Sequence, residues 1–205
     1  MTRTLGRASG RKGATPDLAI HPTTAERWGD LERLFGERGA CGGCWCMVWR
    51  LPRREWVAGK GAGNRRALRR LVVSGEIPGI LGYLGDEPVT WCALAPRERY
   101  PALARSRVLK PVDAIPVWSI SCLFVNRTRR RQGFSVRMLR GAAEFAASRG
   151  AGVVEGYPVE PRMKSTPDPF LWTGTVSAFR AAGFREVLRR SKTRPIMRFA
   201  IGAGT

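Results

Sequence analysis

The sequence is poor in acidic residues and in histidine. Only 16 of its 205 residues are Asp or Glu and one is His, against 36 Lys and Arg, so the formal net charge at pH 7 is +20. Four of the positive charges lie in residues 1–16, which leaves +16 on the rest of the chain. A surface this positive attracts nucleic acids, nucleotide phosphates and acidic substrates. Because no RNA-recognition motif accompanies the charge, we interpret it first as an arginine-rich solubilising surface and keep RNA binding as an alternative.

Long apolar runs are also missing. The stretch over residues 117–125 is interrupted by two serines and is far shorter than the roughly 20 residues that cross a bilayer. Residues 1–16 contain basic residues, no acidic residue and no apolar core of the kind that a secretory signal requires. We therefore expect a basic disordered tail over residues 1–16, one domain over residues 17–205, and a cytoplasmic protein without a membrane span. The composition of the tail is also that of an organelle transit peptide.

Cysteines are few and odd in number. Three of the five lie within residues 41–46, a poor spacing for a disulfide framework, so we expect reduced thiols. A structural zinc site needs four ligands, and the fourth would have to be His21, Cys92 or Cys122. Because the sequence has no second paired-cysteine motif, we predict no metal site.

The pattern of apolar residues and turn residues predicts an α+β fold. The predicted elements are a strand at 17–20, a helix capped by Thr23 or Thr24, a helix at 65–73 after a long loop, a hairpin of strands at 79–84 and 88–94, a buried strand at 117–125, a helix at 135–149, a strand at 153–159, a short helix at 175–182 and a last strand at 195–201. The strand, helix and strand between residues 117 and 159 predict a parallel crossover unit. The sum is a sheet of six or seven strands flanked by helices.

A basic turn follows the buried central strand directly. From residue 130 it reads Arg-Arg-Gln-Gly-Phe-Ser and leads into the next helix. Such a turn points backbone N–H groups and the positive end of the helix dipole outward, where phosphate binds. Gly133 lets the backbone approach a diphosphate closely, and Arg130 and Arg131 add positive charge beside it. The turn is a candidate phosphate site, although a basic strand-to-helix turn also occurs as an ordinary surface connection.

The surroundings of this turn resemble the GNAT superfamily of acyl-CoA-dependent N-acetyltransferases. The family pattern is Arg or Gln, two residues, Gly, one residue, then Gly or Ala, and residues 130–135 follow it with Ser135 in the last place. Residues 122–125 match the family's fourth strand, and residues 177–184 resemble its last helix and the Gly-Phe that follows. The resemblance covers about residues 18–201 and implies a mixed sheet that is splayed at its central strands.

The resemblance implies that an acetyl group moves from acetyl-CoA to a primary amine of a small molecule or a protein. The implied acetyl-CoA-binding residues are Leu123, Phe124, Val125, Arg130, Arg131, Gln132, Gly133, Phe134, Ser135 and Val136. In this scheme the main chain of Leu123 and Val125 pairs with the pantetheine arm. An N–H near Leu123 polarises the thioester carbonyl, because attack by a neutral amine creates an oxyanion.

The resemblance leaves the acid and the base open. Many relatives have a Tyr four residues before the Gly-Phe as the acid for the thiolate, and this chain has Phe179 there. The proton then comes from Tyr157 or from water. Glu155 and Tyr157 lie on the strand opposite the fourth strand, so both are candidate catalytic residues. The alternative is that Glu155 faces solvent or an arginine and Tyr157 packs in the core.

The acceptor and the class of function stay open at this point. Residues 44–50 contain two Trp and one Met and stand where the family's variable helices line the acceptor site. The alternative is that these side chains belong to the core. A second candidate function is docking to tRNA or the ribosome through the basic surface. A third is a non-catalytic CoA-binding module, suggested by the missing Tyr. The sequence does not identify the amine and is compatible with a monomer or a homodimer.

Overall fold

The computed structural model describes residues 17–161, 167 and 170–202. In chain order its elements are β1 (Ala19–Pro22), α1 (Trp28–Phe35), α2 (Arg53–Ala58), α3 (Ala62–Val73), β2 (Gly79–Leu84), β3 (Glu87–Pro96), α4 (Pro101–Ala104), β4 (Trp118–Val125), α5 (Phe134–Ala147), β5 (Val153–Gly156), α6 (Val176–Ala181), β6 (Arg185–Arg189) and β7 (Pro195–Ala200). The predicted tail lies outside the described residues. None of the helices in the described ranges has the length and apolar character to span a membrane.

The described strands form one mixed sheet of seven, in the order β1-β2-β3-β4-β5-β7-β6. Neighbouring strands are antiparallel except β4 and β5, which are parallel. Parallel neighbours need a crossover, and α5 supplies it between β4 and β5. The predicted crossover unit, the hairpin of β2 and β3, and the α+β sheet of six or seven strands are thereby confirmed.

The sheet opens between its two parallel strands. Residues 118–120 of β4 pair with residues 154–156 of β5, and there the pairing ends, while β4 continues to Val125. The register between β3 and β4 skips Ser121, which makes that residue a β-bulge and bends the strand. This is the splay that the resemblance implied, and it leaves one edge of the second half of β4 without a strand partner.

Two apolar layers cover the two faces of the sheet. The helix α5 buries Met138 and Leu139 against Ile120 of β4 on one face. On the other face α1 and α3 cover a cluster that is rich in tryptophan and includes Trp45 and Met47. The sequence left open whether Trp45 and Met47 line the acceptor site or belong to the core. In the structure both belong to the core.

Several helix boundaries differ from the sequence prediction. The first helix begins at Trp28, not directly after Thr23 or Thr24, because residues 24–28 first form turns in which Arg27 N–H donates to Thr24 O. Neither threonine caps the helix, since its N-cap residue is Arg27 and no side chain caps it. The long loop before α3 contains the additional short helix α2.

The edge strand β6 (Arg185–Arg189) was missed by the sequence prediction. Its first three residues are exposed, and its sequence is Arg-Glu-Val-Leu-Arg. A strand with so little burial lacks the hydrophobic signal by which strands are recognised. Among the described strands it pairs with β7 alone, and its charged side chains suit an exposed sheet edge.

Candidate functional site

A cavity of about 300 Å³ lies at the end of β4, where the basic turn and the starts of α5 and α6 meet. It is lined by Val125, Arg129, Arg130, Arg131, Gly133, Phe134, Ser135, Val136, Ser177 and Ala178. Seven of the ten residues predicted to bind acetyl-CoA are among them, whereas Leu123, Phe124 and Gln132 are not. Arg129, Ser177 and Ala178 were not predicted, and α6 brings the last two from a distant part of the sequence.

The backbone of the turn is left-handed at two of three consecutive residues. The φ angles are 61° at Arg131 and 80° at Gly133, which is the N-cap of α5. No side chain caps this helix, so its first N–H groups and its positive dipole end face the cavity region uncapped. A Cβ atom at Gly133 would meet no described atom within 4 Å. The glycine is therefore required by its backbone angle and not by packing, which suits a place where a phosphate approaches the chain.

The arginines of the turn have different surroundings. Arg129 forms a salt bridge of 2.8 Å with Glu87, so its charge is partly neutralised. Arg130 is half-buried, and its Nε donates to the carbonyl oxygen of Val125 at 3.2 Å. Arg131 is exposed at the mouth of the turn. Phe134 is buried against Leu18 and anchors the first turn of α5, so its side chain serves the fold.

The open side of β4 is partly occupied by another segment of the chain. The N–H of Leu123 donates to the carbonyl oxygen of Trp172 at 2.7 Å. Trp172 in turn stacks on Trp49, with ring centroids 6.0 Å apart. The N–H that was predicted to polarise the thioester therefore has a partner within the protein, and its use by a ligand requires Trp172 to move.

Glu155 and Tyr157 belong to a buried ionic cluster. One oxygen of Glu155 accepts from Arg97 at 2.7 Å and from the hydroxyl of Tyr157 at 2.8 Å, and the other accepts from Arg198 at 2.8 Å. The Tyr157 hydroxyl also contacts Ser119 at 2.8 Å and accepts from Arg97. Both side chains are fully buried. Burial and then the Glu155 carboxylate raise the pKa of Tyr157 well above its usual value.

This cluster gives Glu155 and Tyr157 partners within the fold, and their predicted catalytic roles stay predictions. Glu155 has hydrogen-bond partners on both oxygens, and the Tyr157 hydroxyl donates to Glu155 inside the cluster. The pairing of Glu155 with an arginine, which the sequence left open, is what the structure shows. Phe179 stands where many relatives have the catalytic Tyr, and its side chain has no proton to donate. Its fully buried ring packs against Gly156 and edge-on against Phe184.

Three further buried polar atoms lack well-formed hydrogen bonds among the described residues. They are the Tyr100 hydroxyl, Ser121 Oγ and Trp49 Nε1. Burial raises the pKa of Tyr100, while the nearby Arg50 guanidinium and a weak hydrogen-bonding contact with the Ser121 hydroxyl lower it. An unpaired buried polar group costs about 1–3 kcal/mol, so these atoms are candidates for contact with a water or a polar ligand. No sequence pattern indicated Tyr100, because its proximity to Ser121 depends on packing.

Two of the buried cysteines, Cys46 and Cys122, lie in contact with each other. Sγ of Cys46 lies 3.2 Å from Sγ of Cys122 and accepts from Trp91 Nε1 at 3.2 Å. The hydrogen bond to Cys122, together with burial, raises the pKa of Cys46. In the described ranges no group of three or more His, Cys, Asp or Glu residues is arranged to hold a metal ion. Buried thiols with raised pKa values are weak nucleophiles.

Comparisons with known proteins identify the fold. No family model matches the sequence, and no curated protein matches it. A GNAT-family acetyltransferase from Listeria monocytogenes matches with a TM-score of 0.57 at 6% identity, over 91% of this chain and 96% of that one. The PaiA N-acetyltransferase from Thermoplasma acidophilum, solved in complex with coenzyme A, matches with a TM-score of 0.50 at 10% identity, over 90% of this chain and 99% of that one.

A longer protein with the same fold also matches. The GCN5-related N-acetyltransferase from Kribbella flavida has a TM-score of 0.50 and 17% identity over 84% of this chain. This chain spans only 34% of that protein. Identities this low establish a shared architecture and leave activity to be argued from the site. The chain therefore has the GNAT fold that its sequence motifs predicted.

Proposed function

We propose that this protein is an N-acetyltransferase that uses acetyl-CoA as acetyl donor and a primary amine as acceptor. The observation that carries the proposal is the cavity at the end of β4, which combines an uncapped helix N-terminus, a left-handed glycine and arginine side chains. These features suit a diphosphate. The Thermoplasma protein of the same fold binds coenzyme A, which supports CoA as the ligand.

The residues of the turn would hold the phosphates of acetyl-CoA. The N–H groups at the start of α5 donate to phosphate oxygens, and Gly133 permits close approach of the backbone. Arg131 is exposed and can fold over the phosphates, whereas Arg130 keeps the end of β4 in place through its bond to Val125. Ser135 lines the same cavity, so its small side chain is compatible with the family's Gly or Ala at this place.

The pantetheine arm would enter the opening between β4 and β5. That opening begins after residue 120 and leaves the second half of β4 without a strand partner on one side. We propose that Trp172 releases the N–H of Leu123 when the arm binds, so that this N–H becomes the donor to the thioester oxygen. An N–H donor fixed at that oxygen stabilises the oxyanion formed by amine attack.

The acceptor amine would approach from the face that carries Tyr100 and Ser121. Both hydroxyl oxygens can accept a hydrogen bond from an amine N–H, and in the described structure neither has a well-formed hydrogen bond beyond the weak contact between the two. Ser121 is two residues before Leu123 in the same strand, so an amine held there lies close to the proposed reacting position. In the proposal the hydroxyls position the nitrogen; after attack the C–S bond breaks, and the proton lost by the nitrogen passes through the hydroxyls or water to the departing CoA thiolate.

Release of the free CoA thiol tests the proposed activity. The protein is incubated with acetyl-CoA and a panel of amines that includes polyamines, aminoglycosides, amino acids and peptides with a free N-terminus. Thiol release that depends on one amine class, with a matching acetylated product by mass spectrometry, is the expected result. Binding of acetyl-CoA without release on any of them would overturn the activity.

Binding without release would instead support the second candidate function, a CoA-binding module without catalysis. Two observations favour such a module. Phe179 carries no proton donor at the position of the family's Tyr, and the N–H of Leu123 is bonded to Trp172. Slow hydrolysis of acetyl-CoA in the absence of any amine would argue for a competent oxyanion site and against this module.

A further inference from the structure

The helix α3 carries an exposed stripe of four arginines. Arg65, Arg66, Arg69 and Arg70 are all exposed, while Ala67 and Leu68 face the core. Residues separated by four positions lie on the same side of a helix, about 6 Å apart along its axis. The four side chains therefore form two like-charged pairs side by side. The sequence of α3 contains no acidic residue that would separate them.

The charges of α3 oppose the electrostatics of the helix itself. Like charges at positions i and i+4 destabilise a helix, and positive side chains in its first turns meet the positive end of its dipole. Arg65 is compensated by a salt bridge of 2.6 Å with Glu32 of α1. Among the described residues, Arg66, Arg69 and Arg70 have no acidic partner within salt-bridge distance. Arginines at positions that destabilise the helix indicate that their charges serve binding and not the stability of the fold.

The stripe borders a groove between α1 and α3. One cavity of about 350 Å³ is lined by Trp28, Glu32, Ala62, Arg65, Arg66 and Arg69. A second cavity, of about 460 Å³, shares Glu32, Ala62 and Arg65 with the first and continues along α1. The Arg65–Glu32 salt bridge lies where the two cavities adjoin. We call the two together the arginine groove.

We propose that the arginine groove binds RNA through its phosphodiester backbone. The guanidinium fork pairs with phosphate oxygens through two parallel hydrogen bonds, and the groove presents four arginines against Glu32 and Glu37, of which Glu32 is already paired with Arg65. An anionic strand along α3 would relieve both like-charged pairs. A stable protein interface buries an apolar centre, and the tryptophans of the groove, Trp28 and Trp45, are already buried at 8% and 3% exposure. RNA is therefore favoured over an acidic protein.

This proposal is independent of the acetyltransferase activity. The arginine groove lies on α1 and α3, whereas the cavity proposed for acetyl-CoA is formed by β4, the basic turn, α5 and α6. RNA binding can therefore be measured without an identified acceptor. Its failure would leave the CoA site untouched, and a failure of CoA binding would leave the arginine groove untouched.

The test is the salt dependence of RNA binding by fluorescence anisotropy, with a labelled single-stranded RNA and the full chain. The parent is expected to bind at low salt, with log K falling linearly with log salt concentration. The double variant Arg66→Gln/Arg69→Gln removes two phosphate contacts and should lower the slope by about 1.4, because each contact to a single strand contributes about 0.7. Glutamine has nearly the helix propensity of arginine, so the helix is kept.

The matched control is Arg105→Gln/Arg107→Gln. It removes the same charge from two exposed arginines that follow α4 and lie outside the arginine groove. The control is expected to keep the slope of the parent. Equal loss in both double variants would show diffuse attraction to the whole surface and overturn the proposal. Absence of RNA binding by the parent at low salt, or competition by polyglutamate as strong as by unlabelled RNA, would overturn it as well. Circular dichroism confirms that each variant is folded.

Discussion

The N–H of Leu123 donates to the carbonyl oxygen of Trp172 on the open side of β4, at an N to O distance of 2.7 Å. The same Trp172 is held by its stacking on Trp49. Beyond residue 120, β5 no longer pairs with β4. In that opening, Trp172, which follows β5 in sequence, hydrogen-bonds to β4 instead. Under our proposal, acetyl-CoA competes with Trp172 for Leu123.

Trp172→Ala is expected to tighten acetyl-CoA binding. The substitution removes the stacking on Trp49, which contributes about 0.5–1.5 kcal/mol for an aromatic pair, and so lowers the cost of freeing Leu123. The dissociation constant should fall by a factor of about 2 to 10, as measured by isothermal titration calorimetry. The control Phe145→Ala removes the edge contact with Trp118 away from the opening and should leave the affinity unchanged. Weaker binding by Trp172→Ala would show that Trp172 holds the ligand instead of excluding it.

Gly133→Val is expected to abolish acetyl-CoA binding while the protein stays folded. The φ angle of 80° is unfavourable for a branched residue, which costs about 1–3 kcal/mol, and the side chain would extend toward the proposed phosphates. Gly150→Val is the matched control, because Gly150 has the same φ angle of 80° and equally open surroundings at the other end of α5. Both variants should lose similar stability in urea unfolding, and only Gly133→Val should lose binding. Parental affinity in a folded Gly133→Val protein would refute the phosphate site.

Tyr100→Phe and Tyr157→Phe are expected to differ in stability, although each removes one buried hydroxyl. The Tyr157 hydroxyl has hydrogen-bond partners in Arg97, Ser119 and Glu155, so its loss should cost about 1–3 kcal/mol of unfolding free energy. The Tyr100 hydroxyl has only a weak contact with Ser121 in the described structure, so its loss should cost much less stability than the loss of the Tyr157 hydroxyl. Tyr100→Phe should instead reduce thiol release with an amine acceptor. A stability loss for Tyr100→Phe as large as that for Tyr157→Phe would contradict a role in binding substrate.

The folded protein is expected to lose stability as the pH rises above about 10. Burial raises the pKa of all three tyrosines, so above the ordinary value of about 10 they ionise in the unfolded chain and stay protonated in the folded one. The stabilisation is complete below that pH and is lost above it. Tyr157 contributes a slope of about 1.4 kcal/mol per pH unit, which Tyr157→Phe should remove. Tyrosinate absorbance appearing before the unfolding transition would contradict this expectation.

The central part of the fold was predictable because its signals are local. The buried strand β4, the left-handed Gly133 and the helix α5 follow one another in the sequence, so the run of apolar residues, the glycine and the helical periodicity indicate them together. The turn and the small Ser135 could be recognised for the same reason. The weakly buried strand β6 carries no such signal.

The surroundings of the candidate catalytic residues were not predictable because they depend on distant segments. Glu155 is neutralised by Arg97 and Arg198, which are 58 and 43 residues away in the sequence. The approach of Trp172 to Leu123 is a backbone contact, which no side-chain pattern encodes. From the sequence alone, Glu155 was a candidate base because its arginine partners are far away in the chain.

The most direct test of acetyl-CoA binding at the basic turn is the melting temperature of the parent protein with and without acetyl-CoA. A ligand that binds only the folded state stabilises it by about 2.7 kcal/mol at one hundred times its dissociation constant, which corresponds to a rise of about 5 to 10 °C for a chain of this size. We expect such a rise, and we expect Gly133→Val to abolish it while Gly150→Val retains it. No shift of the parent at millimolar acetyl-CoA would contradict the proposed function.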